Sequence, residues 1–258
     1  MDKEQFIKAI KSSKKYKEIS EEIIRNKVEE FFNKYDMSDE KFMLKEIKAS
    51  LHKLHGSFRF ADKKLGEDLE KGDFESILSK NRSTKERLED YELIYEQIFD
   101  VTGKPNSILD LGAGLNPVSI PLMKLGKNIV YYSYDINDKE SKFINKFFEK
   151  FKINGKSEIL DLTRIENVDS LPSADLCLMF KLIDVLEAEK KGHKYAEEII
   201  QALLKKTKFI VVSFAKLTVS GDKMSFPQRG WIERMLERLG LEYSRFEINS
   251  EIFYIIKK

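Results

Sequence analysis

The sequence predicts an α/β chain: a doubly wound domain built on a mostly parallel seven-stranded sheet, preceded by a smaller helical domain. Three observations predict it. From Ser107 onward, short β-rich runs alternate with amphipathic helical stretches, the pattern of an open parallel sheet. The last two runs are joined by only a few residues around Asn249 and Ser250, so they must pair antiparallel, since a parallel crossover needs a dozen or more. Before Ser107 there is no convincing strand, and apolar residues recur at helical spacing.

In chain order, Ile24, Val28, Phe31 and Tyr35 form one helical stripe and Leu44, Ile47, Leu51 and Leu54 another, with Ser20 and Ser38 placed as N-caps. In the segment NRSTKERL, Ser83 and Glu86 have capping-box spacing, and Leu88, Tyr91, Tyr95 and Ile98 line one face of the helix that follows. The expected strands are SILDLG, IVYYSYDI, SEILDL, ADLCLMF, KFIVVSF, YSRFEI and IFYIIK. Between them, Ile144, Phe147, Phe148 and Phe151 form one stripe and Tyr195, Ile199 and Leu203 another. Strands in βα succession closed by an antiparallel hairpin are the class I (Rossmann-like) methyltransferase arrangement. The domains are drawn at residues 1–80 and 81–258.

Composition narrows the class without choosing a partner. Charged residues make up 35% of the chain, yet the formal net charge is only +2, so the distribution of charge has to decide. The single cysteine, Cys177, excludes an internal disulfide framework and a multi-cysteine metal cluster, and it points to a reducing compartment. No apolar run approaches the ~18 residues of a membrane span, and the polar N-terminus does not read as a signal peptide. A cytoplasmic protein that binds neither membrane nor metal is expected.

The turn Asp110-Leu-Gly-Ala-Gly-Leu-Asn-Pro117 follows the first strand and opens into a helix, where Gly112, Ala113 and Gly114 let backbone N–H groups approach a ligand. Asp135 lies 21 positions after Gly114 at the end of the second strand, where a carboxylate can accept both ribose hydroxyl hydrogens. Asp161 ends the third strand, beside Leu162, which can pack on a purine. A nicotinamide dehydrogenase would also show glycines followed by an acid, but the third glycine is missing and Asn116-Pro117 stand in its place. Asp110 suits a cationic sulfonium better than a diphosphate. S-adenosylmethionine is therefore the expected cofactor and S-adenosylhomocysteine its product. A tight turn alone would explain the glycines but not acids at two matching strand ends.

The acceptor is narrowed by what is missing. Exocyclic amine transfer usually uses a polar-Pro-Pro-aromatic loop after the fourth strand, where this chain reads Met179-Phe180-Lys181-Leu182-Ile183-Asp184. Pyrimidine C5 transfer needs an accessible cysteine, whereas Cys177 lies inside an apolar strand and reads as a buried thiol. A ring nitrogen such as guanine N7 has a free in-plane lone pair and no proton to lose, so it needs no base. None of the histidines, His52, His55 and His193, lies at a strand end, and the first two read as solvated or capping before they read as RNA contacts.

Several separated motifs give the chain a family resemblance. Leu51-His-Lys-Leu-His-Gly-Ser-Phe58, Ser83-Thr-Lys-Glu-Arg-Leu88, the turn Asp110–Pro117 with Ile120-Pro121, Tyr134-Asp135-Ile136, Phe180-Lys181-Leu182 followed by Leu186-Glu187, and Val212-Ser213-Phe214 together resemble the aminoglycoside-resistance 16S rRNA (guanine-N7) methyltransferases. The resemblance runs from about residue 40 to the C-terminus. It implies Arg87 on the cofactor's methionine carboxylate, Asp110, Gly112, Ala113, Gly114, Asn116 and Phe180 around the cofactor, Asp135 with Ile136 at the ribose, and Asp161 with Leu162 at the adenine. Lys181 and Phe214 are implied beside the target base as catalytic residues, and the partner is the 16S rRNA of the 30S subunit, met by a monomer. The chain departs from the family after Phe214, where Ala215-Lys-Leu-Thr-Val-Ser-Gly-Asp-Lys223 replaces a proline and a glycine-rich basic loop.

Basic residues cluster as an RNA face requires. Lys11, Lys14, Lys15 and Lys17 form one group; Lys45, Lys48, His52, Lys53, Arg59, Lys63 and Lys64 a second; Lys205, Lys206, Lys208, Lys216, Lys223 and Arg229 a third. Phe226 and Trp231 add aromatic surface for stacking, or belong to the core. Two other readings stay open: a small-molecule methyltransferase whose N-terminal helices form a lid, and an RNA-binding module with a vestigial pocket.

Overall fold

A computed structural model describes residues 1–35, 39–55, 62–126, 128–188, 190, 192–218, 221–225 and 227–257 of the chain. Helices α1 (Lys3–Lys11), α2 (Glu21–Lys34), α3 (Glu40–His55), α4 (Asp62–Lys71), α5 (Phe74–Leu78), α6 (Arg82–Glu86) and α7 (Tyr91–Thr102) come first. They are followed by β1 (Ser107–Leu111), a 3-10 helix (Asn116–Met123), β2 (Val130–Asp135), α8 (Asp138–Lys150), β3 (Asn154–Ile159), α9 (Glu166–Asp169) and β4 (Ala174–Phe180). Then come α10 (Ile183–Glu187), α11 (Lys194–Leu203), β5 (Thr207–Ala215), α12 (Gly230–Arg238), β6 (Glu242–Glu247) and β7 (Glu251–Lys257).

The strands form one sheet in the order β3-β2-β1-β4-β5-β7-β6. The first five pair in parallel, and β7 runs antiparallel to both β5 and β6. Strand order reverses between β1 and β4, so the crevice outside the carboxyl ends of these strands is where such a sheet binds ligands. Side chains alternate across each strand and feed two cores. Leu176, Leu178 and Phe180 of β4 join α4, α5, α7 and α8 on one face. Cys177 and Met179 join α10, α11 and α12 on the other.

Three expectations change. The third strand starts three residues earlier than SEILDL, because its register on β2 runs from Val130↔Asn154 to Asp135↔Ile159. Asp161 is therefore in the turn beyond the strand. The glycine turn opens into a 3-10 helix rather than an α-helix, since Pro117 and Pro121 lack N–H groups and crowd the preceding turn. The capping box at Ser83 is displaced: Asn81 is the N-cap of α6 and accepts from Ser83 N at 3.0 Å, while Glu86 turns to Arg82 and Lys181. Ser20 does occupy the N-cap of α2, without a side-chain bond.

The helices before β1 divide between two buried clusters. Leu65, Leu69, Ile77 and Leu78 belong to the core of the sheet, whereas a separate cluster runs from Phe6 to Leu51. The helical unit of α1 to α3 has this second cluster as its core. It is tied to the sheet at the end of β2: Ile136 and Ile159 pack against its core, Ser20 N donates to Ile136 O at 3.0 Å, and Asp138 N donates to Glu18 O at 3.1 Å. Ser38, Arg59 and Phe226 lie outside the described residues, as do the side chains of Leu54, His55 and Lys63. Among the described residues, no helix is long and apolar enough to cross a membrane, and no group of acids, histidines and cysteine is placed to hold a metal.

Candidate active site

A cavity of about 350 Å³ opens at the carboxyl ends of the parallel strands, within the ~300–1,000 Å³ range of small-molecule sites. The glycine turn forms its floor. Gly112 has φ +65°, and a Cβ there would stand 2.7 Å from Leu182 Cδ1, so the turn needs both the conformational freedom and the absent side chain. Gly114 N donates to Asp135 Oδ2 at 2.9 Å and Asn137 N to Asp135 Oδ1 at 3.0 Å. A carboxylate held in this way faces the cavity with acceptor oxygens of the kind a ligand hydroxyl needs. Beyond β3, Asp161 Oδ1 accepts from Thr163 N at 3.0 Å and Thr163 Oγ1 at 2.6 Å, leaving Oδ2 to accept from a ligand amine. Leu162 beside it is held through its carbonyl by the Tyr195 hydroxyl.

The opposite end of the cavity carries an ion network. Arg87, 2% exposed, donates through Nε to Glu251 Oε1 at 2.8 Å and through Nη1 to Asn116 Oδ1 at 2.9 Å, with the Phe180 ring 5.0 Å from its guanidinium carbon. Among the described residues no hydrogen-bond acceptor engages Nη2. Lys181 has φ +56° and is pinned by N–H donation to Ser213 O at 3.1 Å and Ser213 Oγ at 3.0 Å. Its Nζ lies 2.6 Å from Glu86 Oε2 and 3.1 Å from Glu251 Oε1. Burial pushes the Glu86 carboxyl up, but hydrogen bonds from Lys181 and Arg82 outweigh it and hold the group below the usual range. Arg82, Arg87 and Lys181 against Glu86 and Glu251 leave one positive charge at this wall, while Asp135 and Asp161 make the other wall acidic. An amino acid carboxylate at Arg87 and a nucleoside at the acids match that polarity, so the residues present fit S-adenosylmethionine.

Residues 12–255 match the profile of the family described as Ribosomal RNA methyltransferase (FmrO). The chain belongs to that family. The 16S rRNA (guanine(1405)-N(7))-methyltransferase of Micromonospora rosea is 25% identical over 99% of this chain and 96% of that protein. The enzyme of the same name from Serratia marcescens is 28% identical over 97% and 96%. The structure of the 16S rRNA methyltransferase RmtF in complex with S-adenosyl-L-homocysteine aligns over 100% of this chain and 99% of that one, with a TM-score of 0.82 and 24% identity, a likeness of fold.

In this FmrO-family chain, the residues singled out in the sequence divide by position. Arg87, Gly112, Ala113, Gly114, Asp135, Ile136, Asp161, Leu162, Phe180 and Lys181 line the cavity. Asp110 and Asn116 do not; they lie buried behind the turn, where Asp110 Oδ2 accepts from Asn116 Nδ2 at 2.9 Å and Tyr131 OH at 2.7 Å. Phe214 is also away from it. Alternation along β5 sends Phe214 into the far core against Trp231 and Tyr254, and Ser213 toward Glu251 instead. Of the basic residues, Lys45, His52, Lys53, Lys64 and Lys223 are exposed and Lys48 half-buried. Lys216 is bound to Ile248 O at 2.9 Å and Glu247 at 3.1 Å, and Arg229 to Asp184 at 2.9 Å, so both are used within the protein. Trp231 is stacked on His193 at 3.9 Å.

Glu251, Thr163 and Asn81 carry no sequence expectation as site residues, and Glu86 and Ser213 stand out only as a capping-box partner and as part of a strand-end motif. A lone acid opening the apolar run IFYIIK was the available signal for Glu251, and Asn81 preceding a short helix was the one for the cap.

Burial pushes Asp110 up to about 6, against the hydrogen bonds from Asn116 and Tyr131. Its folded value lies above its unfolded one, so its contribution to stability is full below about pH 4 and lost as pH rises through about 6. Glu140 is raised in the same direction by burial. Asp110→Asn, which keeps an acceptor oxygen, is expected to remove a part of the pH dependence worth on the order of 2–3 kcal/mol. Denaturant titrations from pH 4 to 7 check this; an unchanged slope in the variant rejects it.

Proposed function

We propose that the protein methylates N7 of a guanine in the decoding-site helix of 16S rRNA, acting as a monomer on the 30S subunit in the cytoplasm, with S-adenosylmethionine as donor. One observation carries the reading: the glycine turn, Asp135, Asp161 and Arg87 line a single cavity at the switch point of a sheet in a ribosomal RNA methyltransferase family chain. The bound cofactor supplies a methyl group on a sulfonium. The chain's own part is to bind and orient: Asp135 accepts from the ribose, Asp161 Oδ2 from the adenine amine, and Arg87 Nη2 donates to the methionine carboxylate.

Guanine N7 fits what surrounds the cavity. Cys177 is fully buried, which favours no thiol attack, and Lys181 is neutralised by Glu86 and Glu251 rather than positioned as a base. A nitrogen that carries no proton asks for nothing more. Lys45, Lys48 and His52 share one outer face of α3 at helical spacing, while Met43, Ile47 and Leu51 are buried on the inner one, which gives the helical unit a basic surface for phosphates. The names of the Micromonospora and Serratia relatives support the same base, and a fixed positive charge there would block certain aminoglycosides.

Incubation of the protein with isotopically labelled cofactor and purified 30S subunits, followed by mass-spectrometric location of the methyl group, tests the proposal. Methyl at N7 of one decoding-site guanine is expected. Label at an exocyclic amine, or none on subunits from several sources, overturns it.

A further inference from the structure

Glu140 is a buried acid that nothing above uses. It is 4% exposed and lies in the first turn of α8, where Asn137 Oδ1 caps its backbone N–H at 3.2 Å. Its side chain accepts a hydrogen bond from the Asn81 amide. The same Asn81 caps α6 through Oδ1. Glu140 Oε2 and Asn81 Nδ2 each stand 3.5 Å from the place a Cβ would take on Gly114. Three elements of the cavity therefore meet at this carboxyl: the glycine turn, the start of α8 behind Asp135, and α6, which brings Ser83, Thr84, Glu86 and Arg87 to the cavity wall.

We propose that Glu140 is a positioning residue for the cofactor, holding Asn81 and thereby fixing α6 against the glycine turn. The proposal rests on the cavity being the S-adenosylmethionine site.

The groups around Glu140 set the form it takes. Asp135 from β2 and Glu18 from the segment before α2 both face it with negative charge, and Lys139, the lysine beside it on its own helix, lies 3.2 Å from Glu18. Asp135 has two backbone N–H donors, whereas Glu140 has burial and one amide. Of two neighbouring carboxyls the less solvated and less hydrogen-bonded keeps its proton. Glu140 is the more readily protonated of the two, because burial raises it well above the usual carboxylate range. An uncharged acceptor can hold the Asn81 amide without adding a second negative charge beside the ribose carboxylate.

The test compares Glu140→Ala with Glu140→Gln. Glutamine keeps an acceptor for Asn81 and stays neutral at every pH. Glu140→Ala is expected to raise both the calorimetric Kd for S-adenosylmethionine and its KM on 30S subunits by about tenfold, with kcat changed less than about twofold; Glu140→Gln restores both constants to within about twofold of wild type. The wild-type Kd is expected to rise as pH is raised through the range where Glu140 ionises, and that of Glu140→Gln to stay flat over the same range. Full cofactor affinity in Glu140→Ala overturns the proposal, and so do equal losses in the two variants, a loss confined to kcat, or identical pH profiles in wild type and Glu140→Gln. If Glu140→Ala does not fold, the glutamine variant and its pH profile decide alone. Failure of the wild-type protein to bind S-adenosylmethionine refutes the cofactor site itself; the variant comparison refutes only the role of Glu140.

Discussion

Glu251→Ala is expected to destabilise the protein by about 3–5 kcal/mol and to lower its melting temperature by on the order of 10 °C. Glu251 is fully buried and meets three donors: Arg87 Nε at 2.8 Å, Lys181 Nζ at 3.1 Å and Ser213 Oγ at 2.5 Å. Removing it leaves Lys181 with Glu86, but leaves the Arg87 guanidinium, itself 2% exposed, with only neutral acceptors. A buried cation without its counter-charge is the costly outcome, more costly than losing the pair as a whole. Glu251→Gln should fall between wild type and alanine, since it keeps an acceptor but not the charge. Equilibrium denaturation at pH 7 measures the effect, and a loss below about 1 kcal/mol for the alanine variant would show that water or rearranged side chains replace the carboxylate.

Gly112→Ala is the second large effect, and it acts on the cavity proposed to hold the cofactor. At φ +65° an L-residue costs about 1–2 kcal/mol, and the new methyl would stand 2.7 Å from Leu182 Cδ1, adding roughly 1–3 kcal/mol of overpacking. Leu182 lines the cavity, so its displacement is into the space the ligand needs. Together these costs predict at least a tenfold loss of S-adenosylmethionine affinity, measured by calorimetry. Leu182→Ala in the same chain should recover the overpacking share and leave the backbone share. Recovery to wild-type affinity would mean the left-handed turn is not strained by alanine. No recovery at all would mean the clash is not where the cost arises.

Neither effect is visible along the sequence, although both involve motifs that are. Ser83–Leu88 stands out as a segment, yet that Arg87 needs Glu251 depends on β7 returning antiparallel to β5, which places Ala215 opposite Glu251 at the cofactor edge. The two residues of the ion pair are 164 positions apart. Phe214 shows the reverse error. Its place at the end of the fifth strand was legible, but the face it points to follows from the register of β5 on its neighbours, which turns it to the far core. Asp110 was legible as an acid beside a ligand-binding turn, and the structure puts it one layer behind, on Asn116 and Tyr131.

Local chemistry determined what the sequence revealed by itself: the alternation of β-rich runs and helical stripes, the glycines of the turn, and an acid at the end of the second strand with another following the third. These depend on residues near one another in the chain, so spacing carries them. Tertiary structure alone decided which side chains share a boundary: α4 and α5 with the sheet rather than with the first helices, Glu140 with Asn81, and Glu251 with Arg87 and Lys181. Such pairings depend on strand order and on which charge must be neutralised once water is excluded, and neither leaves a period or a motif in the chain.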